Sequence, residues 1–282
     1  RAIRFEKRCD FKIEPDTFKY LKQAVKLGML EKVQPQRLRD ELILILKEEY
    51  PLKQIRRLGE LTGLSFINPC LHLSKDTYKL LQSVKREIEW FKKNHPTRRH
   101  LDNWLIYFMA VVDSLHINNL QSICANFVFR KGEEKRILSC KEIDYKFISQ
   151  LKRKVIRPSR VFKLLDHLSY EVLILLKAKY KHRNVSGHIE DFLKNFNSTR
   201  LHITGHDLYR LGLQPGPDYQ RIFSKVFNAK LDGRVKTKEE EIELIKKVVN
   251  HKSVGNGLAR SANKIIPKYS LKVQAGLNPT GL

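Results

Sequence analysis

No apolar run in this chain is long enough to cross a bilayer, which takes roughly 20 residues in succession. The longest, residues 104–112, is interrupted and has the length of a core helix. Cysteines are few: Cys9, Cys70, Cys124 and Cys140 lie far apart and form no Cys-x-x-Cys pair. That disfavours a zinc site and a disulfide framework alike, and points to buried reduced thiols in a cytoplasmic protein. Alternation of apolar and polar residues is nowhere sustained, which argues against a sheet. A hydrophobic leader is missing too, since Arg1 falls directly inside a charged helical pattern. The sequence therefore reads as a piece whose N-terminal part lies upstream.

Acidic residues are also scarce. Lys and Arg number 55 against 30 Asp and Glu, giving a formal charge of +25 and a pI near 9.9. Such an excess repels itself in the folded state and is usually retained for a polyanionic partner. With no membrane span, that partner is expected to be a nucleic acid. The 282 residues, 41% of them hydrophobic, suffice for one large domain or two to three small ones.

What the chain has in quantity is helical periodicity. Ile3, Phe5, Phe11 and Ile13 lead into Phe18, Leu21 and Val25, and then Leu38, Leu42, Ile45 and Leu46 line one face. Ser74 caps a helix carrying Leu81, Val84 and Ile88, and residues 104–115 form the most apolar helix, with Trp90, Trp104 and Phe108 as core rings. Helices are also expected over 143–155, from Ser159 through Leu168, over 172–178 and over 185–196, with a last one opening at Thr237-Lys238-Glu239-Glu240. His95-Pro96-Thr97-Arg98-Arg99-His100 reads as a basic loop. The fold class is all-α: an elongated multi-helix array with short helix-turn-helix corners.

The sharpest of these corners runs from Leu201 to Phe223. Thr204 is an N-cap, Pro217 sits in the first turn of the next helix, and Gly212 and Gly216 permit backbone angles that a Cβ resists. Small residues beside free helix N–H groups make a phosphate-gripping corner. Its expected contacts are Thr204, Gly205, Arg210, Gly212, Gly216, Arg221 and Lys225. A second basic cluster, Lys152, Arg153, Lys154, Arg157 and Arg160, with Lys177, Lys179, Lys181 and Arg183 nearby, forms a stripe suited to a nucleic-acid backbone.

Two sets of residues carry a resemblance. Arg1-Ala2-Ile3-Arg4-Phe5, Ile13-x-x-x-Thr17 and Arg37-Leu38-Arg39-Asp40-Glu41-Leu42 resemble the neck of bacterial tRNA nucleotidyltransferases and the related poly(A) polymerases. Ile203-Thr204-Gly205-x-Asp207-Leu208, Gly212, Pro215-Gly216-Pro217, and Leu231-Asp232-Gly233 with Thr237-x-x-Glu240 resemble the same family's body and tail.

The resemblance implies a neck at 1–69, a body at 70–200, a tail with the corner at 201–250 and a basic, flexible segment at 251–282. It implies that Arg1, Arg4, Arg37, Arg39 and Glu41 support the nucleotide pocket. It further implies a partner, the acceptor stem and T arm of tRNA, and a complete enzyme that uses Mg and ATP or CTP to add A or CCA to tRNA 3′ ends. The family's catalytic head holds metal through an Asp-x-Asp pair, and this sequence contains no Asp-x-Asp. The chain alone is therefore expected to bind no metal or nucleotide cofactor and to be inactive, with the head missing.

Two other readings compete. One is a non-enzymatic helix-hairpin-helix module binding duplexes generically through the same corner. The other is a His-Asp phosphohydrolase built on His206-Asp207 with His182, His188 or His202, for which the neighbouring ligand pattern is thin; Asp166-His167 is weaker still.

Overall fold

The computed structural model describes residues 1–95 and 100–255, with side chains as far as residue 249. Residues 96–99 of the expected basic loop and 256–282 of the expected tail lie outside the described residues. Every regular element among the described residues is helical, as the periodicity requires.

The chain opens with α1 (Ala2–Arg8), α2 (Pro15–Lys26), α3 (Pro35–Leu46) and α4 (Pro51–Thr62). The last three start on proline, whose missing N–H costs nothing in a first turn. Leu42, Ile45 and Leu46 of α3 meet Ile55 and Leu58 of α4 in the core. No residue of α2 is fully buried. Instead Arg57 of α4 holds two helices at once, with its guanidinium 4.6 Å from the Phe18 ring of α2 and bonded at 3.1 and 3.2 Å to the Glu6 carboxylate of α1.

Eight further helices follow: α5 (Lys75–Asn94), α6 (Asn103–Val111), α7 (Ile117–Asn126), α8 (Lys131–Ser139), α9 (Tyr145–Leu151), α10 (Pro158–Leu165), α11 (Tyr170–Lys179) and α12 (Arg183–Lys194). Ser74 caps α5, accepting the Thr77 N–H at 3.1 Å. Leu81, Val84, Ile88 and Phe91, spaced three and four apart, turn one α5 face into the core. α6 buries every residue from Trp104 to Val111, so it is covered on all sides. Each such Leu or Phe removes side-chain area worth roughly 1.5–3 kcal/mol from water.

α11 is buried from Glu171 to Ala178 and carries two charges inward. Burying a charge is tolerable only when it is paired. Glu171 lies 3.3 Å from Arg136 and accepts the Asp102 N–H at 3.2 Å. Lys177 bonds to Glu87 at 2.5 Å and Glu190 at 3.0 Å, and its Nζ sits 3.6 Å above the Trp90 ring. Lys177 therefore leaves the solvated stripe in which sequence placed it, and Trp90 is only half-buried beneath it.

Two other boundaries differ from the sequence expectation. α9 stops at Leu151, four residues before the expected end at residue 155. α10 starts on Pro158, and Ser159 is its second residue, with its N–H given to Asp232 at 2.9 Å.

The last helices are α13 (Gly205–Arg210), α14 (Pro217–Leu231) and α15 (Lys238–Gly255). α15 begins at Thr237, whose N–H reaches Glu240 at 3.4 Å while its hydroxyl accepts the Glu240 N–H at 3.3 Å. Contacts divide the chain into two compact units: Arg1–Leu201 with Phe227–Val235, and His202–Val226 with the chain from Lys236 onward.

Candidate nucleic-acid interface

In the second unit the corner is built as a capped helix with a defined stop. The Asp207 carboxylate accepts from the Thr204 N–H at 2.7 Å and the Thr204 hydroxyl at 2.8 Å, and Lys238 of α15 sits 2.8 Å from its other oxygen. The Lys238 ammonium and the Thr204 donors hold the Asp207 carboxyl far below the usual carboxylate range.

α13 ends where Gly212, at φ +79°, gives its N–H to the Tyr209 carbonyl and Leu213 gives its own to Leu208. Gly216 does not share that need. It lies outside the left-handed region and has open space around a built Cβ, while its carbonyl accepts the Tyr219 N–H at 3.0 Å. The Tyr219 hydroxyl closes the turn on the Leu213 carbonyl at 2.9 Å. Thr204, Gly205, Arg210, Gly212, Gly216, Arg221 and Lys225 are all exposed. Arg221 is drawn only weakly to Asp218, at 3.5 Å.

Sequence gave no signal for what holds this corner. Glu241 of α15 is fully buried and accepts the His202 and Ile203 N–H groups at 2.9 and 3.0 Å. That carboxylate pins the entry to the corner from 38 residues away.

In the first unit Lys152, Arg153, Lys154, Arg157 and Arg160 are also exposed. The loop that carries four of them is gripped from below. Asn184 of α12 donates its side-chain amide to the Lys152 carbonyl at 2.7 Å, and His188 bonds to the Arg153 carbonyl at 3.0 Å. Arg160 reaches back to the side-chain amide oxygen (Oε1) of Gln150 at 2.6 Å. The backbone is thereby satisfied internally and the cations face water. Arg157, Ser159, Arg160 and Lys163 line an open groove with Val155 and Asn228.

The neck residues divide. Arg1 and Arg4 of the α1 end converge on Glu41 of α3, at 2.7 and 3.4 Å. Arg37 is exposed on α3. Arg39 points elsewhere: its Nη1 donates to the Phe127 and Val128 carbonyls at 2.7 and 2.6 Å, closing the end of α7.

Among the described residues no group of three His, Cys, Asp or Glu is placed to hold a metal ion. Three of the candidate ligands are engaged otherwise. His182 caps α12 by accepting the Asn184 N–H, His188 holds the Arg153 carbonyl, and Asp207 is paired with Lys238. The sequence does contain two Glu-x-Asp pairs, and each supplies a helix cap: Glu14 for α2 and Asp144 for α9. Of the cysteines only Cys124 is buried, its thiol pushed up to about 12 by desolvation, with Cys140 partly covered and pushed up to about 11. Cys9 and Cys70 are exposed, against the expectation of four buried thiols.

A family model described as "Probable RNA and SrmB- binding site of polymerase A" matches residues 10–74. An A-adding tRNA nucleotidyltransferase from Geobacter sulfurreducens is 32% identical over 249 residues, covering 86% of this chain and 28% of the relative. Another from Aquifex aeolicus is 27% identical over 183 residues, covering 62% of this chain and 21% of its own length. The solved structure of the Thermotoga maritima CCA-adding enzyme complexed with tRNA matches with a TM-score of 0.72 at 27% identity, over 88% of this chain and 60% of that one. The chain thus spans about a quarter of the two curated relatives it resembles.

Proposed function

The chain belongs to the tRNA nucleotidyltransferase and poly(A) polymerase family, and from that premise we propose that it is the tRNA-gripping helical portion of an enzyme adding A or CCA to tRNA 3′ ends. The observation that carries this reading is its 32% identity over 249 residues with an A-adding tRNA nucleotidyltransferase. The exposed, internally braced cations of residues 152–160 and of the 204–225 corner supply the means. They meet phosphates and shape, because an A-form duplex offers its sequence poorly to side chains. The acceptor stem and T arm are the proposed RNA elements, and the cytoplasm the proposed compartment.

In the same reading Arg1, Arg4 and Glu41 brace the start of α1, the helix on which a nucleotide pocket of the complete enzyme would rest, with Arg37 and Arg39 on the adjoining α3. Mg and ATP or CTP are the proposed co-reactants of that enzyme.

Filter binding of residues 1–282 to tRNA and to a DNA duplex of equal length tests the proposal. Tighter binding to tRNA is expected; equal affinity would sink it and favour a generic helix-hairpin-helix module. Incubated with Mg, ATP and tRNA, the same chain is expected to incorporate no nucleotide, and incorporation would show that chemistry resides in these residues after all.

A further inference from the structure

Among the described residues the two most exposed large apolar side chains are Val155, 87% exposed, and Tyr145, 80% exposed. Both belong to the braced basic segment of the first unit. From Tyr145 to Leu165 the sequence contains seven Lys and Arg and no Asp or Glu.

The register of α9 explains why Tyr145 is left in water. Phe147, Ile148 and Leu151 face inward, with Ile148 and Leu151 buried and Phe147 set edge-on to His167 at 6.5 Å between ring centres. Tyr145, Ser149 and Lys152 follow one another at i, i+4 and i+7 along the strip that borders this inward face, with Tyr145 and Lys152 exposed. That strip puts an aromatic ring in line with the first cation of the loop. Val155 stands three residues further on, in a loop whose Lys152 and Arg153 carbonyls are tied to Asn184 and His188. An exposed ring contributes nothing to the core, and a ring carried on the same segment as a run of cations is the combination that stacks bases while the cations hold the backbone.

We propose that this segment does more than track phosphates: Tyr145 is a stacking platform for an unpaired RNA base, while Lys152, Arg153, Lys154 and Arg157 take the flanking phosphates. This rests on the reading of residues 152–160 as an RNA surface. It adds a shape preference that cations alone cannot supply, because a base can stack on a side chain only where its own neighbour has left its face open.

The test measures binding of purified chain to tRNA across a salt series for wild type, Tyr145→Ala, Tyr145→Phe and Lys154→Ala, with circular dichroism to confirm that each is folded. Tyr145→Ala is expected to weaken binding about tenfold with the salt slope unchanged, since a stacked base releases no counterions. Tyr145→Phe is expected to retain wild-type affinity. Lys154→Ala is expected to weaken binding and flatten the slope. If Lys154→Ala behaves so and Tyr145→Ala binds like wild type, stacking is overturned and the phosphate reading survives. If neither change matters, the surface does not bind RNA and both readings fall. Loss in Tyr145→Ala that Tyr145→Phe does not restore would assign the contact to the hydroxyl and overturn the platform.

Discussion

Arg39 and Val128 meet across the seam between α3 and α7: the Arg39 Nη1 lies 2.6 Å from the Val128 carbonyl, and Val128 holds φ +50°. Its N–H goes to the Ala125 carbonyl and that of Phe129 to Cys124, the hydrogen-bond pattern that usually has glycine at this position. A β-branched residue in that conformation costs about 1–2 kcal/mol, and half of the Val128 side chain is exposed, so little packing compensates. Val128→Gly is expected to raise the unfolding free energy, read from urea denaturation, by a net of about 0.5–1 kcal/mol after the entropy cost of glycine. Arg39→Ala is expected to lower it by about 1–2 kcal/mol through the loss of two charged hydrogen bonds.

The two glycines of the corner are expected to behave oppositely. Gly212→Ala forces a Cβ into φ +79° and should destabilise the second unit by about 1–2 kcal/mol. Gly216 has neither a positive φ nor a neighbour within 4 Å of a built Cβ. Gly216→Ala should be neutral or stabilise by up to roughly 1 kcal/mol, through a stiffer unfolded chain. Thermal melts of the two variants decide this.

Glu241 keeps two backbone N–H groups company in a fully buried position. Glu241→Ala leaves both without an acceptor, at about 2–3 kcal/mol. Amide hydrogen exchange at His202 and Ile203 is the direct measurement, and faster exchange there than in the first unit is expected.

Asp207 links the second unit to pH. Its folded pKa is depressed by Lys238 and Thr204, so the stability it contributes is present above the unfolded value of about 3.9 and is lost as pH falls toward the folded one. Stability of the second unit is expected to decline with acidification below roughly pH 4. In Asp207→Asn that decline should be shallower from a lower starting point at neutral pH, as followed by urea denaturation at stepped pH.

Asn184 and His188 hold the loop that carries the proposed RNA-binding cations by bonding to its carbonyls. Asn184→Ala with His188→Ala is expected to weaken tRNA binding several-fold while leaving the salt slope in place, because the phosphate contacts remain but must be ordered on binding. A flattened slope would mean that phosphate contacts themselves were lost.

Helicity, most helix starts and the strong positive charge were legible in the residues alone. Ser74, Thr204 and Thr237 act within one turn of themselves, the spacing of Leu81, Val84, Ile88 and Phe91 names its own inward face, and net charge needs no geometry. Which cations are free to act was decided only in three dimensions. Lys154 and Lys177 both stand in basic runs, but Lys177 is paired with Glu87, 90 residues away, and lies over the ring of Trp90. The same holds for Asp232 with Ser159, for Glu241 with Ile203, and for Arg39 with the end of α7. A cap or a periodic face is set by neighbours in sequence; burial and pairing are set by whichever helix folds back to cover a residue, and no local pattern carries that.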